Sequence, residues 1–137
     1  MPDQRIPITL LTGFLGAGKT TLLNAVLSDN SAGQVTVLVN EFEEAGLDHD
    51  LIEKSSEEII LMRSGCLCCS VRGDLSETIS DLFRRKSLGE ISFERIVIET
   101  TGLADPGPII HTLFVDLFLS NNTRMDGIVT VVDAING

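Results

Sequence analysis

The sequence predicts an α/β fold built on a doubly wound, mostly parallel sheet. Three observations carry that expectation. Short β-branched apolar runs recur along the chain with helical patterns between them, and such alternation builds parallel sheets through right-handed crossovers. The runs are nearly continuous rather than alternating, as in strands covered on both faces. At 137 residues, with 43% hydrophobic and 22% charged, the chain can bury one core and is too apolar to be disordered.

The first strand is expected over Ile6–Leu11, with Pro7 tolerated where a missing N–H costs least. A helix follows Thr20, and Leu22, Leu23, Val26 and Leu27 form its apolar stripe. Val35–Val39 and Ile59–Met62 read as strands. Val71, Leu75, Ile79, Leu82 and Phe83 recur at helical spacing, with Arg72, Asp74, Glu77 and Asp81 on the other face. Arg84-Arg85-Lys86 suits that helix's C-terminus, and Gly89 stops it. Ile96–Ile98 is the next strand. A third helix is expected to begin at Asp105-Pro106, an N-cap followed by proline, and to run to about Leu119. His111 lies on it and reads as a packing histidine. Ile128–Val132 is the last strand, and the chain reaches Gly137 without a following helix, so a piece of something longer is expected.

The formal net charge is −10. A surface this acidic repels phosphate backbones, which argues against duplex nucleic acid or an anionic membrane as main partner. No run approaches the ~18 apolar residues of a membrane span, and the N-terminus lacks a signal-peptide core, so a cytoplasmic location is expected. Glu41, Glu43, Glu44, Asp48, Asp50, Glu53, Glu57 and Glu58 are opposed only by Lys54. Such a run reads as a solvated face or as oxygen ligands for a metal. His49, inside it, is solvated or a fourth metal ligand.

Gly13-Phe14-Leu15-Gly16-Ala17-Gly18-Lys19-Thr20, directly after the first strand, fits G-x-x-x-x-G-K-[ST]. Glycines let consecutive N–H groups turn inward onto an anion, and the following helix adds its positive dipole end. Lys19 is placed to reach the β- and γ-phosphates and the Thr20 hydroxyl to ligate Mg²⁺. This pattern resembles that of the P-loop nucleoside triphosphatases, and the resemblance implies their Rossmann-like three-layer fold. Such a site also needs an acid at a strand end and a glycine for the γ-phosphate. Glu99, followed by Thr100-Thr101-Gly102, has that spacing. Asp133 is the competing acid, but Asn136 stands where the glycine would be needed.

All three cysteines fall within Gly65-Cys66-Leu67-Cys68-Cys69. A disulfide is disfavoured in a cytosolic chain, and vicinal pairing is strained. Thiolate ligation of Zn²⁺, with Cu(I), Co²⁺ or Ni²⁺ as alternatives, explains the clustering. Three thiolates leave a tetrahedral position open, which suits a metal to be handed on. A redox thiol and inert burial are the other readings.

Taken together, Gly13–Thr20 with Thr21, Asn40-Glu41-Phe42, Gly65–Leu75, Glu99–Pro106 and Thr130–Ala134 resemble the CobW family of P-loop GTPases across essentially the whole chain. The resemblance implies a GTP-hydrolysing metallochaperone that delivers its metal to a client metalloprotein, with a nucleotide-dependent homodimer as a further expectation. It implies that Gly13, Gly16, Ala17, Gly18, Lys19, Thr20 and Thr21 hold GTP, that Thr20 and Glu99 hold Mg²⁺, and that Gly102 senses the γ-phosphate. Cys66, Cys68 and Cys69 would bind zinc, or cobalt in some members, and Glu41 in the first switch would be a further metal ligand. Two departures stand out. Glu43 follows Asn-Glu-Phe where the family has glycine, and the guanine-reading N-K-x-D motif is missing. Residues 1–137 thus read as an incomplete GTPase domain, lacking the base-recognition segment and the C-terminal domain. The rival readings are a small-molecule or nucleotide kinase on the same cradle and a non-catalytic metal-binding module.

Overall fold

A seven-stranded sheet organises the chain. The computed structural model describes residues 5–13, 17–28, 34–39, 50, 52–55, 59–62, 64–71, 75–99 and 107–131. In chain order the elements are β1 (Ile6–Gly13), α1 (Ala17–Ser28), β2 (Val35–Val39), β3 (Ile52–Ser55), β4 (Ile59–Met62) and β5 (Leu67–Ser70). They continue with α2 (Leu75–Ser87), β6 (Arg95–Glu99), α3 (Gly107–Val115), α4 (Leu117–Asn122) and β7 (Thr123–Val131). The strand order is β3-β4-β5-β2-β6-β1-β7. β5, β2, β6, β1 and β7 are mutually parallel, and the β3–β4–β5 edge is antiparallel.

Side chains alternate across a strand, so each contributes to both layers. On one face Leu11, Val35, Val37, Val39, Ile60, Met62, Cys66, Cys68 and Val97 pack against Leu23 and Leu27 of α1. On the other, Ile6, Ile8, Leu10, Leu38, Cys69, Ile96 and Ile98 pack against Ile79 and Leu82 of α2, Leu113 of α3 and Leu119 of α4. Helices on both faces of a mostly parallel sheet are the doubly wound, three-layer arrangement.

Several expectations need correction. Two strands, β3 and β5, went unread: the first is short and charged, and the second consists of Leu67, Cys68, Cys69 and Ser70. The expected third helix is two helices. The Asp116 side chain accepts the Leu119 N–H at 3.1 Å and caps α4, so the chain breaks there. The start expected at Asp105-Pro106 lies outside the described residues. His111 is exposed, because it sits two residues, some 200° of helical rotation, from the buried Leu113. Leu22 points largely outward, while Leu23 and Leu27 carry the α1 stripe. Val71 precedes α2 instead of belonging to it. Gly89 does terminate that helix, at φ +78°, with Glu90 N–H donating to the Arg85 carbonyl and Gly89 N–H to that of Lys86.

Candidate functional site

β1 ends at Gly13 and α1 begins at Ala17, so described structure brackets the phosphate loop on both sides. This is the strand–turn–helix setting that the glycine-rich motif requires. Ala17, Gly18, Lys19 and Thr20 form the first turn of α1. Their leading amides lack intrahelical acceptors and stand at the positive end of the helix dipole. Thr21 is exposed one step further along. Gly16, Glu41, Gly102, Asp133 and His49 lie outside the described residues.

Glu99 closes β6, is 5% exposed, and stands in register with Leu11 of β1. It therefore sits at the end of the strand beside the one that feeds the phosphate loop. Alternation along β6 puts it on the same face as Val97, the face α1 covers. A buried acid at that place fits the carboxylate needed beside a phosphate-bound Mg²⁺.

The cysteines lie on a hairpin instead of a free turn. Cys66, the first residue after the loop, returns to Met62, whose N–H donates to the Cys66 carbonyl at 2.9 Å. Gly65 N–H donates to the Met62 carbonyl at 3.0 Å. Gly65 has φ +97°, a backbone conformation that glycine tolerates and side-chain-bearing residues resist. This is the three-residue hairpin loop with glycine at its last position. β5 then pairs with β2, Cys68 opposite Val37 and Cys69 opposite Leu38.

That register decides which sulfurs meet. Cys66 and Cys68 belong to the layer under α1, and Cys69 belongs to the layer under α2. All three are at most 2% exposed. Burial pushes the Cys68 thiol well above its ordinary range, and the neighbouring Cys69 and the Glu99 carboxylate push it in the same direction. That charge coupling links a cysteine of the hairpin to the acid at the end of β6. Cys69 instead lines a cavity of about 160 Å³ with Ile59, Ser70, Glu77, Thr78, Asp81 and Leu82. Among the described residues, no three His, Cys, Asp or Glu side chains converge closely enough to hold one ion.

Ser64 was missed in the sequence. Its hydroxyl donates to the Leu27 carbonyl at the end of α1 and accepts from the Cys66 N–H at 3.3 Å. The Cys66 Sγ lies 3.9 Å from the Val26 carbonyl. The Ser-Gly pair between two apolar runs was the available signal, since such pairs mark turns.

Residues 7–137 match the family model described as CobW/HypB/UreG, nucleotide-binding domain. The zinc chaperone YjiA of Escherichia coli is 44% identical over 131 residues, covering 96% of this chain and 41% of its own. Zinc-regulated GTPase metalloprotein activator 1 of Schizosaccharomyces pombe is 41% identical over 137 residues, covering 96% of this chain and 32% of its own. The crystal structure of Zn(II)-bound YjiA GTPase from E. coli matches with a TM-score of 0.83 at 40% identity, over 98% of this chain and 42% of that one. This chain thus spans well under half the length of these relatives. With its doubly wound sheet, its phosphate loop opening α1 and a match running from residue 7 to residue 137, the chain belongs to the CobW/HypB/UreG family, whose nucleotide-binding domain it carries.

Proposed function

We propose that the intact protein is a GTP-binding and GTP-hydrolysing metallochaperone that carries zinc on Cys66, Cys68 and Cys69 and delivers it to a client metalloprotein. Cobalt is the second candidate cargo. The observation that carries this reading is a shared face: Cys66, Cys68 and Glu99 all lie in the layer covered by α1, the helix that the phosphate loop opens. The names of the relatives, zinc chaperone and zinc-regulated GTPase metalloprotein activator, support it.

In this reading the amides of Gly13, Gly16, Ala17, Gly18 and Thr21 surround the phosphates and Lys19 offsets their charge. Thr20 and Glu99 would hold Mg²⁺, which draws electron density from the phosphate oxygens. Gly102 donates its N–H toward the γ-phosphate. Water attacks the γ-phosphorus, the bond to the β-phosphate oxygen breaks, and GDP and inorganic phosphate leave. Glu41 joins the zinc or the magnesium from the segment after β2.

Neighbouring residues in a strand point to opposite faces. Closing Cys68 and Cys69 around one ion therefore requires the start of β5 to leave its pairing with β2. The loaded and empty forms differ in this hairpin, which makes it the mobile part of the carrier.

Elemental analysis of the full-length protein tests the reading. The wild type should hold about one zinc per chain, and Cys66→Ser/Cys68→Ser should lose it while binding GTP as the zinc-free wild type does. Stoichiometric zinc in the double variant, or none in the wild type, would overturn the assignment.

A further inference from the structure

We infer that Ser64 is a positioning residue that fastens the thiol hairpin to the phosphate helix, making α1 the rod through which nucleotide and zinc sense each other. The inference rests on the metallochaperone reading and goes beyond it by naming the connection. α1 spans Ala17–Ser28 and is about 18 Å long at 1.5 Å per residue. Its first turn belongs to the phosphate loop. Its last turn carries carbonyls with no intrahelical donor, and two of these face the hairpin.

The Leu27 carbonyl accepts from the Ser64 hydroxyl, a contact spanning 37 residues of sequence. The same oxygen of Ser64 accepts from the Cys66 N–H at 3.3 Å. One hydroxyl thus holds the end of a helix and the backbone of a candidate zinc ligand at once. The Val26 carbonyl lies 3.9 Å from the Cys66 Sγ, so the ligand atom itself touches the same helix end. Leu23 and Leu27 fill the space between, packed with Met62, Cys66 and Cys68 in one buried cluster. A close-packed layer passes on displacement because it cannot compress.

Phosphate drawn onto the first turn of α1 shifts or stiffens the helix, and Ser64 carries that change to Cys66. In the opposite direction, zinc drawing the Cys66 sulfur toward itself moves it off the Val26 carbonyl and reaches the phosphate loop through the same helix. Reciprocity requires the two effects to be equal in free energy.

The test measures zinc affinity of the intact protein by chelator competition, with GDP and with a non-hydrolysable GTP analogue. The wild type should show a ratio of at least about five between the two states, the lower end of ordinary coupling. Ser64→Ala should bind the analogue with unchanged affinity in the absence of zinc, while its ratio falls close to one. Ser64→Thr, which keeps the hydroxyl, should restore the ratio. The Co²⁺–thiolate absorption band should be the same in all three, showing an intact ligand set. A wild-type ratio retained in Ser64→Ala, or a Ser64→Thr protein behaving like Ser64→Ala, overturns the inference and leaves the chaperone reading standing. A wild-type ratio of one removes the linked carrier and this inference with it.

Discussion

Gly65 holds the residue-scale requirement of the site. Its φ of +97° sets the hairpin loop that delivers Cys66 to the end of α1. A Cβ added there would meet nothing within 4 Å, so the cost of a side chain is the backbone's alone. Gly65→Ala should therefore cost about 1–2 kcal/mol in urea unfolding, the penalty of left-handed backbone for an L-residue. A change below about 0.5 kcal/mol, the range of an ordinary surface substitution, would contradict this account of the turn. The sulfurs themselves are packed like small apolar groups, none more than 2% exposed. Cys68 is held neutral chiefly by its burial. In the proposed carrier, zinc reaches these sulfurs only if this buried layer opens.

At the scale of elements, the break between α3 and α4 supplies a pH signature. The Ser76 hydroxyl, then the Leu119 N–H, hold the Asp116 carboxyl below the ordinary carboxylate range. A carboxyl depressed in the folded state stabilises above its unfolded pKa of about 3.9 and loses that contribution as pH falls through the folded value. Asp116→Ala should thus unfold at lower urea than the wild type near neutral pH, and the gap should shrink below about pH 4. A gap that persists undiminished at pH 2, or no gap at neutral pH, would contradict the cap. This same aspartate was illegible in the sequence, because the apolar pattern of Ile109, Ile110, Leu113 and Phe114 continues past it. β1, β2, β4 and β6 were legible as short apolar runs; β2 and most of β6 are buried on both faces, whereas β4 is fully buried on one face only. β5 was not, because its cysteines read first as ligands and only the fold reveals them as core. The strand and the helix that flank the phosphate loop were legible, since the motif itself calls for that setting. The division of the sulfurs between two faces was hidden, as it depends on a strand that the chemistry of cysteine masked.

Across the whole molecule, the sheet brings Glu99 and two of the three cysteines to the layer of the helix that follows the phosphate loop. The phosphate loop follows β1, Glu99 ends β6 next to it, and Cys68 lies two strands beyond β6, on β5, opposite Val37 of β2. Cys69 alone looks into the α2 layer. No helix among the described residues is long and apolar enough to cross a membrane. The chain carries the nucleotide-binding domain of the CobW/HypB/UreG family, and in the proposed carrier the common layer gives a physical reason for nucleotide and zinc to act on one another. The most direct measurement is GTP affinity of the full-length protein by isothermal titration, with and without saturating Zn²⁺, beside the same pair for Cys66→Ser/Cys68→Ser. The account predicts that zinc changes the wild-type affinity at least about five-fold and leaves the double variant unaffected. Equal affinities in the wild type, or the same zinc effect without the two sulfurs, would contradict it.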